Sequence, residues 1–182
     1  MLEVLRRIVQ EVDNAPSFQA ALDVLVASVR EATHTEVCSV YLLDDRTERL
    51  VLMANEGFNP SSIGVVSLGF GEGLVGLCAT REEPINLQDA ATHPSYVYFP
   101  ETGEERYNAF LGVPIMNRRK VLGVLVVQQF ENRRFDEGEV AFLVTLSAQL
   151  SAVVAHAKVM GQLEVVRGSR ATPTQIYQGS TG

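Results

Sequence analysis

The chain reads as an α+β domain: a mostly antiparallel sheet of about six strands, N- and C-terminal helices on one face, and a loop and short helix over the other. Three observations predict it. Two pairs of β-rich runs, 37–43 with 50–54 and 110–116 with 121–129, are each joined by a short polar turn, which sets consecutive strands antiparallel. Segments with helical periodicity lie at both ends of this strand region. The regular strand–helix alternation of a parallel sheet is missing.

Leu2, Leu5, Val9 and Val12 step by three and four residues, the spacing of a narrow heptad seam. Two heptads are marginal alone in water, so residues 1–13 are expected to form an interface helix that needs a partner. Asn14-Ala15-Pro16 interrupts it, and Ser17 can cap a second helix whose Phe18, Ala21, Leu22, Leu25, Val26, Val29 and Ala32 keep a 3.6-residue period. The first strand pair turns at Asp44-Asp45-Arg46-Thr47, and 65–68 is a third short strand. A glycine-dense segment, 69–76, runs into a short helix at 74–80, and 84–87 is extended. Residues 89–106 make a long polar and aromatic connection, a length that often carries function in a compact domain. The apolar run 121–127 suits a central strand covered on both faces, whereas Pro114 requires its own strand to be an edge or to bulge. Asp136 caps the last helix, Glu139 completes a capping box and Phe135 can staple onto Val140. That helix is expected over 136–166. After Gly168 the composition turns to Ser, Thr, Pro and Gly, so the domain is taken as 1–167 and 168–182 as a linker.

A length of 182 residues fits one domain with a tail, and 46% hydrophobic with 20% charged residues is ordinary globular composition. Fifteen basic against 22 acidic residues, a net charge of −7, speaks against a nucleic-acid binder. Glu3, Arg6 and Arg7 stand where the apolar core of a secretory signal would be, and two cysteines make no disulfide framework, so a cytoplasmic chain is expected. Residues 140–157 are uncharged and near the length of a membrane span. Thr145, Gln149 and His156 nevertheless share one helical face and Val144, Ser147, Leu150 and Val154 another, which predicts an amphipathic helix and no membrane partner.

Gly71-Glu72-Gly73-Leu74-Val75-Gly76 matches G-x-G-x-x-G, with Asp89 at a distance suited to a ribose contact. Only about two helical turns fit before Pro84, too few for a crossover to a parallel strand. The glycines are therefore read as permitting a tight strand-to-helix turn. Cys38 and Cys78 sit among apolar residues and read as buried small hydrophobes. His34, His93 and His156 are too scattered for a metal site, and no catalytic residue or metal ligand is assigned. The region from Asp89 to Phe110 holds the candidate ligand residues Asp89, His93, Tyr96, Tyr98, Glu105, Arg106 and Phe110. Aromatic walls, an Arg106 fork for a carboxylate and Glu105 or Asp89 for an ammonium would suit a small zwitterion. A surface lid without a ligand is the other reading. For dimerisation, the candidates are Leu2, Leu5, Val9 and Val12 beside the small residues Ser147, Ser151 and Ala157 of the last helix.

Three runs carry a family resemblance: Thr35-Glu36-Val37-Cys38-Ser39-Val40-Tyr41-Leu42, then Gly73-Leu74-Val75-Gly76 through Pro84-Ile85-Asn86-Leu87, and Glu104 to Ile115 with Leu122 to Gln129. They resemble a GAF domain, and more narrowly the N-terminal GAF domain of the nitrogen-related phosphoenolpyruvate–protein phosphotransferases, over about residues 2–170. The resemblance implies a regulatory homodimeric domain that senses nitrogen status through glutamine or 2-oxoglutarate. It implies a phosphotransfer system in which domains beyond this chain use Mg and pass phosphate to a phosphocarrier protein; no cofactor is expected here. The family's catalytic histidine lies in a Gly-rich Ser-His motif, whereas these histidines read Thr33-His34-Thr35, Thr92-His93-Pro94 and Ala155-His156-Ala157. The chain by itself is therefore expected not to be an enzyme. A ligand-free interaction module is the first alternative, and a stand-alone GAF-fold methionine sulfoxide reductase the second.

Overall fold

Six strands pair in one antiparallel sheet in a computed structural model of the chain, which describes residues 1–103 and 107–161. In chain order the elements are α1 (Leu2–Asp13), α2 (Phe18–Thr33), β1 (Val37–Asp44), β2 (Arg49–Glu56), β3 (Ser67–Gly69), α3 (Gly73–Arg81), β4 (Ile85–Leu87), β5 (Ala109–Asn117), β6 (Lys120–Gln129) and α4 (Glu137–Val159). Across the sheet they run β3-β2-β1-β6-β5-β4, so the two strands flanked by short polar turns, β1 and β6, meet at the centre. The expected α+β class and antiparallel sheet are what the chain adopts.

Strand alternation divides the interior in two. Cys38, Val40 and Leu42 of β1 and Leu125 and Val127 of β6 face α1, α2 and α4. Tyr41, Val124 and Val126 face α3 and a flap formed by residues 89–103. All four of Val124 to Val127 are at most 1% exposed, as expected of a strand covered on both sides. At roughly 1.5–3 kcal/mol per buried aliphatic side chain, these two layers dominate the stability of the domain. Gly123 lets the centre close: a Cβ there would lie 2.1 Å from the Tyr41 carbonyl oxygen. Pro114 sits beyond the short β4, which pairs only with Phe110–Gly112, so β5 is an edge at that point. A register shift follows between Ile115 and Met116, so both devices anticipated for the proline occur.

Local chemistry sets the helix ends. Ser17 Oγ accepts from the Ala20 N–H at 3.1 Å, and His34 closes α2 in the left-handed region. Asp136 accepts from Glu139 N–H at 2.8 Å while Glu139 accepts from Asp136 N–H at 3.0 Å, the expected capping box. α4 stops at Val159, short of the expected 166: Gly161 takes a positive φ of 71° one residue past the Met160 cap, a common helix stop. The remainder of that expectation and the 168–182 linker lie outside the described residues.

Two facial assignments change. In α1 the most deeply buried residue is Ile8, with Val12 beside it, while Leu2 is 78% exposed. In α4 the buried face is Phe142, Leu143, Leu146, Ser147, Leu150, Ser151, Val154 and Ala157. Val144, expected beside Ser147, is exposed instead, because it lies one step further round the helix.

Candidate functional site

Residues 89–103 lie over the sheet face opposite the long helices. Short helical turns at Ala90–Thr92 and Pro100–Thr102 shape this flap, and its Tyr96 and Phe99 pack toward Tyr41 and α3. Beneath it lies a cavity of about 40 Å³ walled by Tyr41, Phe58, Leu74, Tyr96, Phe99 and Phe110, with Thr102 and Gln128 supplying polar groups. That is room for a few ordered waters, far below the ~300 Å³ of a cleft that holds a drug-sized ligand.

The candidate ligand residues divide. Tyr96 and Phe110 line the cavity. His93 is half-buried, its Nδ1 accepting from the Ser95 N–H at 3.1 Å, which organises the flap's own turn. Asp89 is also half-buried, and its carbonyl accepts from the Thr92 hydroxyl at 2.9 Å. Tyr98 is 46% exposed and does not line the cavity. Glu105 and Arg106 lie outside the described residues. Sequence reasoning missed Tyr41 and Gln128, though the pattern holds the signal. Gln128 has the parity of Val124 and Val126, the β6 residues that face the flap.

The glycine-rich turn spends its own amides. Gly71 N–H donates to the Gly76 carbonyl at 2.9 Å, Gly76 N–H to Glu72 at 3.1 Å, and Gly69 N–H to Glu72 Oε2 at 2.7 Å. A Cβ on Gly76 would lie 2.3 Å from the Gly69 carbonyl oxygen. With these donors consumed and a carboxylate within the loop, the turn is a close-packed corner rather than a phosphate cradle.

Cys38 and Cys78 are fully buried on opposite faces of the sheet. Burial pushes the Cys78 thiol up to about 12, with the nearby Glu83 charge adding to it, and pushes Cys38 up as well. Nucleophilic thiol chemistry needs a thiolate at working pH, which this environment opposes.

The third region is the outer surface of the helices. Ser147, Ser151 and Ala157, expected at a dimer interface, point into the core, and the two serine hydroxyls donate to the carbonyls of Val144 and Ala148. Val12 is buried as well, while Leu5 and Val9 are half-buried and Leu2 is open. The outward side of α4 carries a different set: Ala141, Val144, Ala148, Ala152 and Val159 are exposed, with Ala155 half-buried between them. By length and composition α4 could cross a membrane, but here one side of it lies against β5 and β6. Beside it, Pro16, Phe18 and Val153 line an open groove of about 430 Å³ with Asp13 and His156 at its rim.

Comparison with known proteins fits this architecture. The chain is 48% identical over 170 residues to proteins named phosphoenolpyruvate-dependent phosphotransferase system in Salmonella typhimurium and in Escherichia coli; this covers 93% of the chain and 23% of each relative. The GAF domain of a phosphoenolpyruvate-protein phosphotransferase from Coxiella burnetii superposes with a TM-score of 0.85 at 48% identity, covering 88% of this chain and 95% of that one. The corresponding Acinetobacter domain gives 0.80 at 51% identity, covering 88% and 96%. A free methionine-R-sulfoxide reductase from Neisseria meningitidis shares the fold, with a TM-score of 0.75 at 23% identity and coverage of 87% and 90%. The GAF domain model matches residues 17–154, and the chain belongs to the GAF domain family.

Proposed function

We propose that this chain is the regulatory domain of a phosphoenolpyruvate–protein phosphotransferase, and that it pairs with a second copy of itself along the outward side of α4, flanked by α1. The observation that carries the reading is a helix that is apolar on two sides. One side of α4 fills the core, while Ala141, Val144, Ala148, Ala152 and Val159 face outward over its whole length. An exposed apolar stripe running the length of a helix marks a contact surface even beside the polar Thr145, Gln149 and His156, and small residues allow a second helix to approach closely. Leu2, Leu5 and Val9 of α1 remain candidates at the margin. Sedimentation velocity tests the pairing: the wild-type chain is expected to be a dimer and Ala148→Glu a monomer with an unchanged melting temperature, since an exposed site usually shifts stability by only ~0.5 kcal/mol. A wild-type monomer at high micromolar concentration overturns it.

The finer reading is that glutamine or 2-oxoglutarate acts beneath the flap. It is supported by a small cavity with aromatic walls and an amide, Gln128, in its lining. At about 40 Å³ the cavity admits neither molecule as it stands, so the flap must lift and apparent affinity falls by the fraction of open molecules. Calorimetry on the folded chain decides. Heat with either metabolite that disappears in Arg106→Ala supports sensing, and no heat with either leaves a ligand-free dimerisation module. The deeply buried, separated thiols weigh against a reductase. The phosphocarrier protein and Mg belong, on this reading, to the remaining length found in the relatives.

A further inference from the structure

We propose that the tip of the β5–β6 hairpin, Arg118-Arg119-Lys120, is a docking knob for a carboxylate-rich segment of a partner protein. The hairpin closes through two residues between the paired Asn117 and Lys120. Two-residue turns of this kind that hold both central residues at positive φ are normally built from Asn-Gly or Asp-Gly. Here both positions are arginine, at φ 49° and 64°. Backbone strain is thus retained at the one place where it puts two guanidinium groups and an ammonium on a protruding tip. All three residues are exposed, and none forms an ion pair among the described residues. Arg7, Arg30, Arg49, Arg133 and Lys158 each face a carboxylate. Arg6, Arg46, Arg81 and Arg134 also form no ion pair among the described residues; the tip differs from these in setting three such cations in consecutive positions.

The surroundings select the partner's chemistry. The positive charge is local on a chain of net charge −7. Leu42 pairs with Gly123, so the β1–β2 turn lies beside this tip and brings Asp45 and Glu48 as well as Arg46 to the same end of the sheet. Asp45 is held by Lys158 at 3.1 Å, and a nucleic acid or an anionic membrane, whose charge is spread over a broad surface, would meet Glu48 and the chain's overall negative field. A protein segment can set a few carboxylates against the planar guanidinium forks and leave the neighbouring turn uncovered.

Two variants separate binding from strain. Arg118→Asn with Arg119→Gly removes charge and relieves the turn, whereas Arg118→Gln with Arg119→Gln removes charge and keeps the strain. Binding of a fluorescein-labelled hexaglutamate peptide is followed by anisotropy at low and high salt, with NMR shifts to locate it. The expected result is a footprint at 117–120 and an affinity at least about tenfold weaker in both variants, with a raised melting temperature only in the Asn-Gly variant. Unchanged peptide affinity in either variant, a footprint elsewhere, or tighter binding of inorganic polyphosphate or phosphatidylserine vesicles than of the peptide overturns the proposal.

Discussion

Replacing Glu139 by Gln should destabilise the domain at neutral pH and cease to matter in acid. Glu139 accepts from Arg133 Nη1 and Nη2, both at 2.8 Å, and from the Asp136 N–H at 3.0 Å. The amide of glutamine turns one of the two acceptors facing the guanidinium into a donor. Charge-assisted bonds contribute ~1.5–3 kcal/mol when enclosed. This pair is partly open, with side-chain exposures of 28% for Arg133 and 16% for Glu139, and Arg133 keeps its bond to Gln129 Oε1 at 2.8 Å. A loss of about 2 kcal/mol follows, which lowers Tm by ~4–8 °C in a chain of this size. The hydrogen bonds from Arg133, opposed in part by burial, hold the Glu139 carboxyl below its ordinary value. Such a group contributes fully above the unfolded-state value of ~4.3 and loses its contribution as pH falls through the lower folded value. Urea unfolding of both proteins from pH 7 downward should therefore show curves that converge in acid. A penalty under about 0.5 kcal/mol at pH 7, or one independent of pH, would refute the argument.

Further outcomes follow from the same packing. Gly123→Ala puts a Cβ 2.1 Å from the Tyr41 carbonyl oxygen at the sheet's centre, and should cost more than about 3 kcal/mol in urea unfolding; a cost under about 1 kcal/mol would mean that β1 and β6 separate freely. Leu125→Ala, at a fully buried position of β6, should cost ~2–5 kcal/mol by the same measurement. A thiol reagent should label neither cysteine of the native chain and both after unfolding, and rapid native labelling of Cys78 would contradict its burial.

Much of this fold was legible because neighbouring residues specify it. The Ser17 and Asp136 caps, the β5–β6 turn and the consequence of Pro114 depend on a few adjacent side chains and came out where the pattern put them. Facing was harder. In α4 the period does separate Thr145, Gln149 and His156, which are exposed, from Ser147, Leu150 and Val154, which are buried. But Ser147, Ser151 and Ala157, expected at a dimer face, belong to the side that packs on the sheet, because small residues serve a close contact within the domain as well as one between copies. Ile8 falls outside the heptad seam of α1, yet packing of that helix beside Leu25 of α2 and Leu146 and Leu150 of α4 buries it. The cavity was only half legible. Tyr96 belongs to the flap, which draws attention by its length, and Phe110 to the start of β5 that follows it, but Tyr41 and Gln128 arrive from strands whose pairing is long-range. How much room remains beneath the flap depends on side-chain packing, which no local pattern states.

Pairing through α4 can be read directly by mild oxidation of Ala148→Cys. The native thiols are shielded in the core, and packed helices run 8–10 Å apart, close enough for facing Cβ atoms to be bridged. A covalent dimer forming at low micromolar protein, and absent from a Gln10→Cys control on the polar side of α1, is the result this architecture predicts. Persistent monomer under the same oxidation, with the wild-type chain sedimenting as a single copy, would contradict it.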